Sequence, residues 1–175
     1  MSKPFWILAA IAGGALAYSL LKTVKAGLSL DYKLRKFQLY QFVNGNNMVF
    51  RLTLRIVNLS DTPIHVNMID IDAYLDPSYT EENGKLIVSK SGSQLGSVVD
   101  AEGFEIPANA YIDKEIFIEC RWINLLAILT STVLDLLNNE ESAIQYFLNK
   151  KILITGIVKA EGYQIPIQNI IAVTD

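Results

Sequence analysis

The chain has one cysteine and one histidine in 175 residues, and each scarcity removes a class of chemistry. With Cys120 alone no internal disulfide can form, which agrees with a reducing compartment. With His65 alone, and no Gly-x-Ser-x-Gly elbow to pair with it, a nucleophile–histidine hydrolase has no visible parts. Gly92-Ser93-Gln94-Leu95-Gly96 is rich in glycine but lacks the lysine and following helix of a phosphate loop, and reads as a plain loop. Asp70, Asp72 and Asp76 lie close together without the ligand spacing of a calcium loop, so a solvated strand face is the favoured reading. Glu81-Glu82 and Glu140-Glu141 read as solvated pairs rather than catalytic dyads. The chain is therefore expected to be a non-enzyme without cofactor or metal.

Clustered basic charge is also missing from most of the chain. Residues 1–36 carry six basic side chains against Asp31, a balance of +5, while the remainder carries nine basic and seventeen acidic groups, a balance of −8. An acidic domain is a poor partner for phosphate backbones, which excludes nucleic acid as the expected ligand.

What is present begins at the N-terminus. Pro4 to Leu21 is an uncharged run of 18 residues between Lys3 and the pair Lys22 and Lys25. That length approaches the ~20 residues a helix needs to cross a bilayer. Pro4, Phe5, Trp6, Ile7, Leu8, Ile11, Leu16, Tyr18, Leu20 and Leu21 are the expected membrane anchor, with Phe5, Trp6 and Tyr18 placed as interfacial aromatics. Ala9 with Gly13, Ala10 with Gly14, and Gly13 with Ala17 form small-xxx-small pairs that let spanning helices approach, so helix–helix association is a further expectation. Lys3, Lys22 and Lys25 are the expected headgroup contacts, and positive charge after the run favours a cytoplasmic domain. A secretory signal peptide is the competing reading, because Ala15-Leu16-Ala17 before Tyr18 resembles a cleavage site. The segments so defined are a transmembrane anchor over 1–26, a basic juxtamembrane linker over 27–36, and a β domain over 37–175.

Beyond the linker the hydrophobic pattern has period two. In Met48 to Val57, Phe50, Leu52, Leu54 and Ile56 alternate with Arg51, Thr53 and Arg55, the signature of a half-buried antiparallel strand. Further strands are predicted over 35–42, 64–75 with an irregularity at Met68-Ile69, 85–89, 112–122, 151–160 and 163–173. Asn44-Gly45-Asn46-Asn47, Asn83-Gly84 and Glu161-Gly162 supply turns. Leu125, Ile128, Leu129, Val133, Leu136 and Leu137 recur at helical spacing, and a second helical stretch over 140–148 precedes the last strand pair. Cys120 falls on an inward row and reads as a core residue. Asn58-Leu59-Ser60 matches a glycosylation acceptor, relevant only in a eukaryotic secretory setting. The predicted fold is mainly β: a seven-stranded antiparallel β-sandwich with a helical insertion before the last strand pair, preceded by one N-terminal transmembrane helix.

The order of these pieces resembles the type-2 late embryogenesis abundant family, also called the water-stress and hypersensitive-response domain. Leu52 to Ile64, Leu95-Gly96-Ser97, Phe104 to Asn109, and Ile152 to Ile167 with Gly156 and Ile165-Pro166 carry the likeness. Leu59 departs from it, since the family usually has proline there. The resemblance implies a seven-stranded sandwich with a helix, commonly tethered to membranes, and brings no catalytic residues. The functional expectation is a membrane-anchored structural or adaptor protein, whose partners are the bilayer and other proteins of a larger assembly such as a virion with an internal membrane. The domain would then sit on the cytoplasmic or capsid-facing side. The rival expectation is a membrane-tethered lipid-handling module, marked by an apolar cavity beside the helices of 124–148.

Overall fold

A computed structural model describes residues 29–43, 47–121, 145–148 and 150–174. Ten strands lie among them: β1 (Leu30–Val43), β2 (Asn47–Asn58), β3 (Ile64–Leu75), β4 (Ser78–Glu82), β5 (Lys85–Lys90), β6 (Ser93–Asp100), β7 (Phe104–Ile106), β8 (Tyr111–Arg121), β9 (Lys151–Ala160) and β10 (Tyr163–Thr174). The main sheet runs β6-β3-β9-β10-β1-β2-β8, with β7 also paired to β3, while β4 and β5 form a separate hairpin. The chain is thus mainly β, as its period-two pattern requires.

Two findings depart from the expected architecture. The sheet is not wholly antiparallel, because β10 leaves β9 and pairs in parallel with β1 at Phe37↔Val173 and Gln38↔Thr174. Through that junction eight strands make one sheet, which curls until its ends meet in a nearly closed, barrel-like form. Second, β1 starts at Leu30, five residues before the strand predicted over 35–42, so Lys33, with Arg35 and Lys36, lies in a strand within the segment 27–36 assigned to a linker. The irregularity in the β1–β2 register between Leu34 and Lys36 breaks the alternation that would have carried the predicted strand back to Leu30. Similarly Ser93–Asp100, half of it expected to be loop, is strand β6 on the edge of β3.

The expected membrane segment falls elsewhere. The anchor residues Pro4, Phe5, Trp6, Ile7, Leu8, Ile11, Leu16, Tyr18, Leu20 and Leu21 lie outside the described residues. So do the helix-packing residues Ala9, Ala10, Gly13, Gly14 and Ala17, and the headgroup lysines Lys3, Lys22 and Lys25. All but the last turn of the predicted helices over 124–148 also lies outside them. Among the described residues no helix is long and apolar enough to cross a membrane.

The core follows from the strand pattern. The inward row of β2, Met48, Phe50, Leu52, Leu54 and Ile56, is buried throughout. It meets Ile69, Ile71, Ala73 and Leu75 of β3, Ile116, Ile118 and Cys120 of β8, and Ile152, Ile154 and Val158 of β9. Phe50 stacks on Phe37 at 5.2 Å between ring centroids and meets Phe147, from the short helical stretch 145–147, edge-on at 5.2 Å. Burying rings of this size contributes on the order of 2–3 kcal/mol each.

The end strands of the sheet, β6 and β8, lie against each other. Between β6 and β8, Gly96 lies so near the Glu119 carbonyl that any side chain at this position would collide with it and with Ile118. Lys114 of β8 then pairs with Asp100 of β6 at 2.9 Å. Burial pushes the Asp100 carboxyl upward, but Lys114 and the Glu102 N–H outweigh it and hold the carboxyl below its ordinary value. Near the β1–β10 junction, the Tyr32 hydroxyl accepts the Gln168 N–H at 3.1 Å.

One buried polar centre ties the connections together. Asn58, at the end of β2, is fully buried, and its Nδ2 lies 2.8 Å from the Thr62 carbonyl, 3.1 Å from that of Ile106 and 3.0 Å from that of Pro107. Its Oδ1 accepts the Ser60 N–H at 2.8 Å. Ser60 Oγ lies 2.7 Å from both Asn58 Oδ1 and the Thr62 carbonyl, and gives its single proton to one of them. Backbone bonds Asn58 N–H to Ala110 O, Leu59 N–H to Ser29 O and Asn109 N–H to Ser60 O complete the centre.

Asn58→Asp is expected to destabilise the fold by about 3 kcal/mol or more at pH 7, because it sets a carboxylate against three carbonyls and removes their donor; urea unfolding measures the loss. Asp100→Asn should cost about 1 kcal/mol at pH 7. Because the folded protein holds this carboxyl below its unfolded value, that difference is complete above pH ~4. It closes as the pH falls through the folded-state value, which thermal melts across the acid range would follow.

Candidate interaction face

Alternation along β2 turns Arg51, Thr53 and Arg55 outward, and the flanking strands complete the outer face. Across the register, Gln38 and Phe117 flank Arg51, Lys36 and Glu115 flank Thr53, and Lys33 and Asp113 flank Arg55. Three large hydrophobic side chains of β1 and β8 stand out of this part of the sheet: Tyr40 is 52% exposed, Tyr111 56% and Phe117 42%.

The guanidinium groups order those rings. Arg55 grips Asp113 with two parallel bonds, Nε to Oδ1 at 2.7 Å and Nη2 to Oδ2 at 2.6 Å, and lies 3.9 Å above the centre of the Tyr111 ring. Such a fork fixes orientation as well as charge. The hydrogen bonds from Arg55 hold the Asp113 carboxyl below its ordinary value, helped by the charge of Arg35, and the same bonds raise Arg55. Arg51 reaches Glu115 at 3.2 Å and lies 5.2 Å from the Tyr40 ring, which packs on Phe117 at 4.9 Å. The result is a ladder of aromatic and guanidinium groups across β1, β2 and β8. Exposed aromatics beside arginine have the composition of protein interfaces.

The residues weighed as chemical candidates in the sequence are dispersed. Cys120 is buried, and burial alone pushes its thiol up to about 12, so it is a protonated core residue. His65 is exposed on β3, and its backbone N–H is taken by the Glu161 carboxylate at 2.9 Å. Asp72 accepts from Gln94 at 3.1 Å and Asp76 pairs with Lys150 at 3.4 Å. Among the described residues no three His, Cys, Asp or Glu side chains are placed to hold a metal ion. Asn58 has no side-chain surface, so the glycosylation pattern at 58–60 is unusable in the folded chain. A cleft of about 420 Å³ between the β4–β5 hairpin and β9–β10 is lined by Tyr79, Glu81, Leu86, Lys151, Gln168 and Ile170, a mixed polar set.

Sequence reasoning placed Arg51 and Arg55 outward but did not gather the face. The available signal was Phe117, an aromatic in the outward row between Glu115 and Glu119. The predicted anchor and headgroup residues, and the packing set Ala9, Ala10, Gly13, Gly14 and Ala17, lie outside the described residues.

No protein-family model and no curated protein matches the chain. Among solved structures, a protein from Archaeoglobus fulgidus is similar at 8% identity and a TM-score of 0.42, covering 83% of this chain and 96% of that one. An X-ray structure of a Northeast Structural Genomics Consortium target shows 13% identity and a TM-score of 0.40, covering 83% and 87%. The sporulation control protein Spo0M of Bacillus subtilis shows 10% identity and a TM-score of 0.41, covering 84% of this chain and 49% of its own. Likenesses at this level carry no functional argument.

The buried thiol gives a direct check on the β8 register. Cys120 should resist a water-soluble thiol reagent in the native chain at pH 8 and react fully in denaturant, as absorbance of the released thiolate would record.

Proposed function

We propose that this chain is a non-enzymatic, membrane-anchored adaptor, in which one N-terminal transmembrane helix tethers a β domain that binds neighbouring proteins through its outer β1–β2–β8 face. In this reading the curled sheet is a β-sandwich, with a helical insertion before β9. The observation that carries the proposal is the uncharged run from Pro4 to Leu21 between Lys3 and Lys22. A stretch of this length without charge satisfies the hydrocarbon core, and its basic flank favours retention of the domain on the cytoplasmic side. The exposed Tyr40, Tyr111 and Phe117 support the binding role. The resemblance to the type-2 late embryogenesis abundant family, whose members are commonly tethered, supports the same assignment. A capsid-facing position in a virion with an internal membrane is one setting that suits it. The lipid-handling alternative places its cavity beside the helices of 124–148, nearly all of which lie outside the described residues.

The full chain should sediment with membranes and remain there after alkaline carbonate washing. In sealed right-side-out vesicles the β domain should survive external protease until detergent is added. Release by carbonate would remove the anchor, and digestion without detergent would reverse the orientation.

A further inference from the structure

We infer that the β1–β2–β8 face pairs with the same face of a second copy of this chain. The argument is charge complementarity read level by level across the sheet. At one level stand Lys33, Arg55 and Asp113; at the next, Lys36, Thr53 and Glu115; at the end, Asp31, Val57 and Tyr111. The β1 side therefore carries lysines where the β8 side carries carboxylates at the same height. A twofold axis running along β2 in the plane between two stacked faces exchanges β1 with β8 without changing the level. Lys33 then meets Asp113 of the second copy, Lys36 meets Glu115, and Asp31 meets the Tyr111 phenol. Interfaces on a twofold must be self-complementary in this way.

The residues on the axis are compatible with it. Arg51 and Arg55 would face their own copies, but each is already bound to a carboxylate of its own chain, at 3.2 and 2.6 Å. Pairing would cover Tyr40, Tyr111 and Phe117, the exposed rings of the face. An anionic bilayer is the poorer occupant, because Asp113, Glu115 and Glu119 would be pressed against like charge. Three strands at ~4.8 Å spacing and ~11 residues at ~3.4 Å present roughly 500 Å². That is below the ~800 Å² per partner of standard stable interfaces, so the dimer is weak and concentration-dependent.

The test uses the full chain in detergent, mixing isotopically heavy and light protein before zero-length carbodiimide coupling, which joins an amine only to a carboxylate it touches. Expected are heavy–light cross-links Lys36–Glu115 and Lys33–Asp113, with a dimer growing with concentration in light scattering. Neither lysine takes part in an ion pair among the described residues, so the double variant Lys33→Glu with Lys36→Glu should keep its thermal midpoint and weaken dimerisation by about tenfold or more. A second double variant, Gly13→Leu with Gly14→Leu, would block close packing of anchor helices and should leave these cross-links intact. Cross-links confined to single isotopes, a dimer indifferent to the double lysine reversal, or binding to anionic vesicles by a chain that stays monomeric would each overturn the inference.

Discussion

The carboxamide of Asn58 is the interaction on which the arrangement of the strands depends. It sits where the chain leaves β2, in the β1–β2–β8 part of the sheet, for β3, in the part containing β6, β7 and β9. One side chain there fixes the outgoing turn at Thr62 and the incoming segment at Ile106 and Pro107, which leads into β8. The adjacent Leu59 N–H holds Ser29, the residue before β1. Three separate stretches of chain thus meet at one buried side chain, so the net worth of each bond is small while the cost of removing their shared donor is large. That asymmetry explains why a buried asparagine, rather than an apolar residue, specifies the crossing.

With the crossing fixed, the end strands β6 and β8 lie against each other and the β1–β10 junction closes the middle of the sheet. The β6–β8 end is brought together by the small size of Gly96 and the Asp100–Lys114 pair. The β1–β10 junction holds only two parallel rungs, and local side chains take backbone groups that lie off them. Asp31 accepts the Tyr32 N–H, the Tyr32 hydroxyl that of Gln168, and Asn169 that of Ile170, while Pro166 has none to offer. The side chains of β1, β2 and β8 are displayed on the outer face of the sheet.

Where local pattern and tertiary demand coincide, the sequence was legible. Residues 64–75, 151–160 and the start of β10 at Tyr163 were readable because period-two rows are bounded by turn residues, and the irregularity near Met68 appears as the register shift between Val66 and Met68. Where they diverge, it was not. Gly92 to Gly96 has loop composition, yet Gly96 is glycine because a neighbouring strand crosses there, a cause that local pattern cannot contain. Strand β4 is exposed along its whole length and so carries no apolar signal beyond its Asn83-Gly84 turn. Of the face, Arg51 and Arg55 were readable as outward, but their partners Asp113 and Glu115 are 58 and 64 residues away in the chain, and only the β2–β8 register unites them.

The position of β1 also changes the meaning of the basic N-terminal stretch. Of its six basic residues, Lys33, Arg35 and Lys36 belong to a strand of the sheet, leaving Lys3, Lys22 and Lys25 to flank the apolar run. The charge bias across that run is then one lysine against two, while the β1 lysines stand level with carboxylates of β8. The same side chains cannot serve headgroups and a facing sheet at once, because each contact requires the lysine row to be covered. In the proposed dimer Lys33 and Lys36 lie under the facing sheet, so headgroup contact falls to Lys3, Lys22 and Lys25 beside the apolar run.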